Sequence, residues 1–181
     1  PPEGRGFETV VELAFHLKEH VERYGYHTFV KTTGGKGVHI VVPLEPADSV
    51  DVVFETSKQI AQEFVKGHRE SATLQLRKNK REGRILVDIY RNRSSQTIVS
   101  PYSLRGRNGI PVSMPVTWEE LEHLERSNLF RPADVLERLT SEGDVWQSMH
   151  EFAVRLHTSW PATAAGRAGA KGRDAEPGDP E

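Results

Sequence analysis

The 181 residues carry 24 Lys+Arg against 26 Asp+Glu, eight His and no Cys, with 36% hydrophobic and 28% charged side chains. That length and polarity suit a single globular domain with a continuous core, while the lack of cysteine excludes a disulfide-stapled fold, a thiolate zinc site and a Cys nucleophile. No apolar run approaches the roughly 20 residues that cross a bilayer and no signal-peptide pattern opens the chain, so a cytoplasmic, reducing setting without membrane contact is expected.

Val10, Leu13, Ala14, Leu17, Val21 and Tyr24 recur at helical spacing and predict an amphipathic helix over residues 8–23, stopped at Gly25. Tyr26 to Thr32 and Val38 to Leu44 are β-rich runs, and Thr33-Gly34-Gly35-Lys36-Gly37 between them signals a hairpin. Asp48 or Ser49 can cap a second helix with the stripe Val50, Val53, Phe54, Ser57, Ile60, Ala61 and Phe64. The run Ile85-Leu86-Val87-Asp88-Ile89-Tyr90 predicts a buried strand, and Thr97 to Ser100 a further short one.

Gly106, Gly109, Pro111 and Pro115 then punctuate a long loop. Thr117-Trp118-Glu119-Glu120 has the acidic first turn of a helix. Pro132 opens another short helix with Val135, Leu136 and Leu139 on its apolar side, and Gln147 to His157 reads as a last one. Residues 1–160 are the foldable portion. From Pro161 onward 13 of 21 residues are Ala, Gly or Pro and none is a large hydrophobe, which predicts a disordered tail or linker. The alternation of helices and strands gives an α/β or α+β domain, with hairpins favouring a mostly antiparallel sheet.

The near-neutral total conceals an uneven distribution. Residues 66–107 hold 11 basic and 3 acidic side chains, whereas residues 1–65 hold 6 and 10 and residues 108–181 hold 7 and 13. A basic block between acidic flanks attracts polyanions, and its arginines suit bidentate phosphate contacts. Nucleic acid or nucleotide phosphate is therefore a candidate ligand, against the ordinary alternative of a solvated charged face.

Within a strand over 85–90, Ile85, Val87 and Ile89 share one face and Leu86, Asp88 and Tyr90 the other. A mid-strand carboxylate is disfavoured and costly to bury unpaired, so Asp88 is either ion-paired to Arg84, Arg91 or Arg93 or a ligand for a hard cation. His39 follows the glycine-rich turn, where a hydroxyl, backbone N–H groups, Lys36 and imidazole together suit a triphosphate; the Walker A spacing is absent. Arg91, Arg93, Arg105 and Arg107 complete the set, and a metal with arginines is what phosphoryl or nucleotidyl transfer requires. His16 and His20 lack the order of a zinc protease motif and read as surface residues. Trp118, Trp146 and Trp160 read as packing anchors.

Three ordered segments carry a resemblance: Lys31 to His39 with the strand ending at Pro43-Leu44, Gly83 to Asn92, and Ser100 to Arg105. Together they resemble the polymerase domain of bacterial DNA ligase D, in the archaeo-eukaryotic primase superfamily, over residues 7–146. The resemblance implies a primase-like α+β fold with a mostly antiparallel central sheet flanked by helices. It also implies a template-dependent nucleotidyl transferase of non-homologous end joining, which fills gaps and extends broken ends, prefers ribonucleotides and uses Mn2+ or Mg2+. Carried over by position, Asp88 is expected to be a catalytic metal ligand. Thr33 and His39 are expected to contact the triphosphate, and Arg91 and Arg105 to hold phosphate and organise the metal centre.

DNA ends or gapped DNA, nucleoside triphosphates, the Ku end-binding protein and a ligase module are the partners so implied. The family's other two metal ligands form an Asp-x-Asp motif just before the segment equivalent to Pro1-Pro2-Glu3-Gly4. The chain is thus expected to be the C-terminal part of that domain within a longer polypeptide. A non-catalytic DNA-binding adaptor that retains the fold, or a replication primase, are the alternatives.

Overall fold

The computed structural model describes residues 6–156, and they form an α+β fold. Helix α1 (Glu8–Glu22) presents two apolar stripes rather than one. Val10, Val11 and Ala14 pack with Val30, Val112, Met114, Val116, Leu121 and Val135, while Leu13 joins Ala61, Phe64, Ala72, Val87 and Ile89. The helix therefore joins two apolar clusters. It ends where Gly25, at φ +84°, takes the left-handed conformation that a side chain resists.

The main sheet is three-stranded and antiparallel throughout. β1 (Phe29–Thr32) pairs with β2 (Val38–Val41), which places Lys31 opposite His39. On its other side β1 pairs with β5 (Pro115–Val116). A separate parallel pair joins β3 (Ala72–Thr73) to β4 (Ile85–Leu86). α2 (Val50–Gly67) starts at Ser49, whose hydroxyl accepts from the Val52 amide at 3.3 Å. α3 (Trp118–Glu122) opens on a capping box between Thr117 and Glu120, and α4 (Pro132–Ser141) has its proline in the first turn.

Several expectations are corrected. The strand expected over 85–90 ends at Leu86, and residues Tyr90–Asn92 form a 3-10 turn. Val87 and Ile89 are nonetheless buried on one side, as alternation requires. Thr97 to Ser100 form no strand, and the last helix shrinks to a 3-10 turn at Met149–Phe152. His20 is buried among Phe64 and Tyr24, not on the surface, because helix packing covers its face. Val50 and Leu136 are exposed although the periodicity placed both on apolar stripes. Trp146 is buried and Trp118 donates its indole N–H to the Thr28 carbonyl at 3.0 Å. Trp160 and the tail from Pro161 lie outside the described residues. Among the described residues no helix is long and apolar enough to cross a membrane.

Candidate nucleotide site

A cleft of about 1110 Å³ runs along α1 between the β1–β2 turn and the chain that follows β4. Its floor is apolar, with Leu13, Ile60, Ala61 and Val87. Thr33, Lys36, His39, Asp88 and Arg91 line the same cleft, although 55 positions separate Thr33 from Asp88.

The turn is built from its own hydrogen bonds. The Thr33 amide and hydroxyl both donate to the Gly37 carbonyl, at 3.1 and 2.9 Å. The Gly35 amide donates back to Thr33 Oγ1 at 3.2 Å. Gly34 adopts φ +62°, and a Cβ there would lie 2.6 Å from Arg105 Cγ and 3.0 Å from the Val112 carbonyl oxygen. Only glycine lets the Arg105 side chain lie across the turn.

Arg105 is carried by a folded-back loop. Its amide donates to the Pro111 carbonyl at 2.8 Å, Leu104 bridges Val112, and the Ser113 amide donates to Ser103 at 2.9 Å. Arg131 closes the tip by donating from Nη1 to the Gly109 carbonyl at 2.9 Å. The same loop supplies Ser113, whose hydroxyl accepts from Lys31 Nζ at 2.6 Å and donates to the Thr32 carbonyl at 2.9 Å.

The electrostatics follow from this packing. Lys31 is only 2% exposed, and burial, with Arg105 nearby, pushes its ammonium down from 10.5 to about 8. Burial also pushes His39 down from 6.5 to about 4, assisted by the charges of Lys31, Arg105 and Arg91. His39 is therefore neutral near pH 7. Its buried Nδ1 and the buried Nε of Arg105 have no hydrogen-bond partner among the described residues. Unpaired polar atoms beside a wall of cations fit an anionic ligand that brings acceptors.

Asp88 sits differently from expectation. It is exposed beyond the end of β4, its Oδ1 accepts from the Tyr90 amide at 3.1 Å, and Arg91 Nε stands 4.0 Å from Oδ2. An exposed pair at that distance contributes little to stability, so the carboxylate remains open to the cleft. It is the one carboxylate among the described residues lining it. Divalent ions take several oxygen ligands, and among the described residues no group of three His, Asp or Glu can hold a metal ion. Among the described residues the cleft thus offers a single carboxylate and no cluster of three such groups for a metal ion.

Thr33, His39, Asp88 and Arg91 line one cleft, with Arg105 packed against the turn. Arg107 also approaches the turn, 3.6 Å from where a Gly35 Cβ would stand. Arg93 does not join them: its guanidinium lies over the Phe54 ring, 5.0 Å from the centroid. Lys31 has no local signal that marks it as a buried strand lysine, and its role was not legible in the sequence.

Comparison with known proteins adds an independent finding. Residues 1–146 match the family described as LigD, primase-polymerase domain. The chain belongs to this family. The multifunctional non-homologous end joining protein LigD of Pseudomonas aeruginosa is 36% identical over 119 residues, covering 66% of this chain and 14% of that protein. LigD of Mycolicibacterium smegmatis is 31% identical over 145 residues, or 80% and 19% of the two chains.

The solved polymerase domain from Mycobacterium tuberculosis ligase D, in complex with DNA, matches with a TM-score of 0.76 at 31% identity. That match covers 84% of this chain and 53% of the other. The chain therefore spans about half the solved polymerase domain and a fifth or less of the two curated LigD proteins. The LigD primase-polymerase fold expected from three short segments is the fold observed.

Proposed function

We propose that the chain supplies part of a LigD-type nucleotidyl-transferase centre, which adds nucleotides, ribonucleotides by preference, to DNA ends and gaps in non-homologous end joining. The observation that carries this reading is the convergence of Thr33, His39, Arg91 and Asp88 on one cleft, with Arg105 packed against its turn. In nucleotidyl transfer a primer 3′-oxygen bonds to the α-phosphorus, the bond from that phosphorus to the bridging oxygen breaks, and pyrophosphate leaves. The cationic wall holds and neutralises the triphosphate during that exchange.

Asp88 would give one oxygen ligand to a Mn2+ or Mg2+ ion, which would neutralise charge on the transferring phosphate; the described residues hold no group of three His, Asp or Glu for it. DNA, Ku and a ligase module are the partners this reading implies. The experiment is gap filling on 5′-phosphorylated gapped DNA with ribonucleotides and Mn2+. Incorporation that disappears in Asp88→Ala shows a working metal site in the chain and contradicts its being only part of the centre; no incorporation, with ATP still bound, supports the proposal.

The lone carboxylate favours a second reading, a DNA-binding adaptor without catalysis. Gapped DNA bound with a steep salt dependence, with neither incorporation nor triphosphate binding, supports that reading and contradicts the first.

A further inference from the structure

The Gly37 carbonyl oxygen has more donors than it can use. The Thr33 amide reaches it at 3.1 Å, the Thr33 hydroxyl at 2.9 Å and the Ser127 hydroxyl at 2.5 Å, while a carbonyl oxygen offers two lone pairs. Ser127 comes from the connection between α3 and α4, 90 residues away, and is 1% exposed. Its oxygen also accepts from the Thr33 amide at 3.1 Å and lies 3.3 Å from Thr33 Oγ1. Thr33 is half-buried and lines the cleft, whereas Ser127 does not.

We infer that Ser127 is a positioning residue that releases the Thr33 hydroxyl hydrogen to a phosphate oxygen of a bound nucleoside triphosphate. The inference rests on the triphosphate reading of the cleft and gives that reading a part it lacked. A hydroxyl carries one hydrogen and a phosphate oxygen only accepts. With Thr33 donating to Gly37, no hydrogen is left for the ligand. Turning that hydrogen outward leaves the Gly37 carbonyl with the Thr33 amide, which it shares with Ser127 Oγ, and one lone pair still to fill; an under-satisfied acceptor is costly. The Ser127 hydroxyl is the donor that fills it. Thr33 Oγ1 meanwhile keeps the bond it accepts from the Gly35 amide, so the turn retains its shape.

The test is the equilibrium affinity of the chain for ATP with Mn2+, measured in a two-residue cycle. Thr33→Val is expected to bind about tenfold more weakly, from one lost charge-assisted hydrogen bond, and Thr33→Ser to keep its affinity. Ser127→Ala is expected to lose severalfold, and the double variant to bind no more weakly than Thr33→Val alone. A purely structural role for Ser127 gives additive losses and overturns the inference, as does wild-type affinity in Ser127→Ala.

If Ser127→Ala does not fold, the Thr33 pair still decides: equal affinity of Thr33→Val and the unaltered chain overturns the inference. Failure of the unaltered chain to bind ATP overturns the triphosphate reading and this inference with it.

Discussion

Lys31 and His39 face each other across the β1–β2 ladder as register partners, and both have their charged forms disfavoured by burial and by Arg105. Among the described residues no carboxylate offsets either charge, and Ser113 is the polar partner that holds Lys31. A fold that keeps a buried lysine beside a histidine and an arginine stores a preference for an anion.

That preference gives a pH signature. Between about pH 8 and 10.5 the unfolded chain binds a proton at Lys31 that the folded chain has released, so folding stability rises with pH across that window. A bound triphosphate favours the ammonium, so its affinity is expected to fall as pH rises through about 8. Lys31→Met removes both the stability rise and the affinity decline. Denaturant melts and ATP binding from pH 7 to 10 check both.

His39 acts at the acid end. Its folded value near 4 lies below the ordinary 6.5, so the unfolded chain binds the extra proton as pH falls through that interval and stability is lost there. In His39→Gln the acid-side loss shrinks, which urea melts at pH 7 and pH 5 will show.

Gly34 ties the turn to Arg105. Gly34→Ala places a side chain at φ +62° and 2.6 Å from Arg105 Cγ; about 1–2 kcal/mol of destabilisation is expected from the backbone alone, together with weakened ATP binding as Arg105 is displaced. Gly37→Ala is the control, since a Cβ there meets nothing within 4 Å. Thermal melts and ATP titrations of the two variants check the contrast.

The second apolar cluster makes a separate prediction. Phe64 is 1% exposed, and Phe64→Ala is expected to cost about 3–5 kcal/mol. Val50 lies on the same periodic stripe but is 51% exposed, and Val50→Ala is expected to stay within about 0.5 kcal/mol. Denaturant midpoints of the two variants measure the difference.

Much of the fold was legible because its strong elements announce themselves locally. α1, α2 and the β1–β2 hairpin follow from 3.6-residue spacing, capping and a glycine-rich turn. The two-residue strands β3 and β5 have no period to read, and Pro115 pairs in a sheet although it reads as loop punctuation. Asp88 was picked out on a strand and was misplaced there. The run around it alternates like a strand, yet the Tyr90 amide bonds to its carboxylate and the chain turns into the 3-10 segment. Lys31 and Ser127 were illegible because their partners stand 82 to 94 residues away.

If this cleft holds a nucleoside triphosphate, calorimetric titration of the chain with ATP and Mn2+ will show saturable binding. His39→Ala and Arg105→Ala are each expected to lose about tenfold in affinity, from the charge-assisted contacts removed. Binding that is absent, or that both variants retain unchanged, would contradict the triphosphate reading.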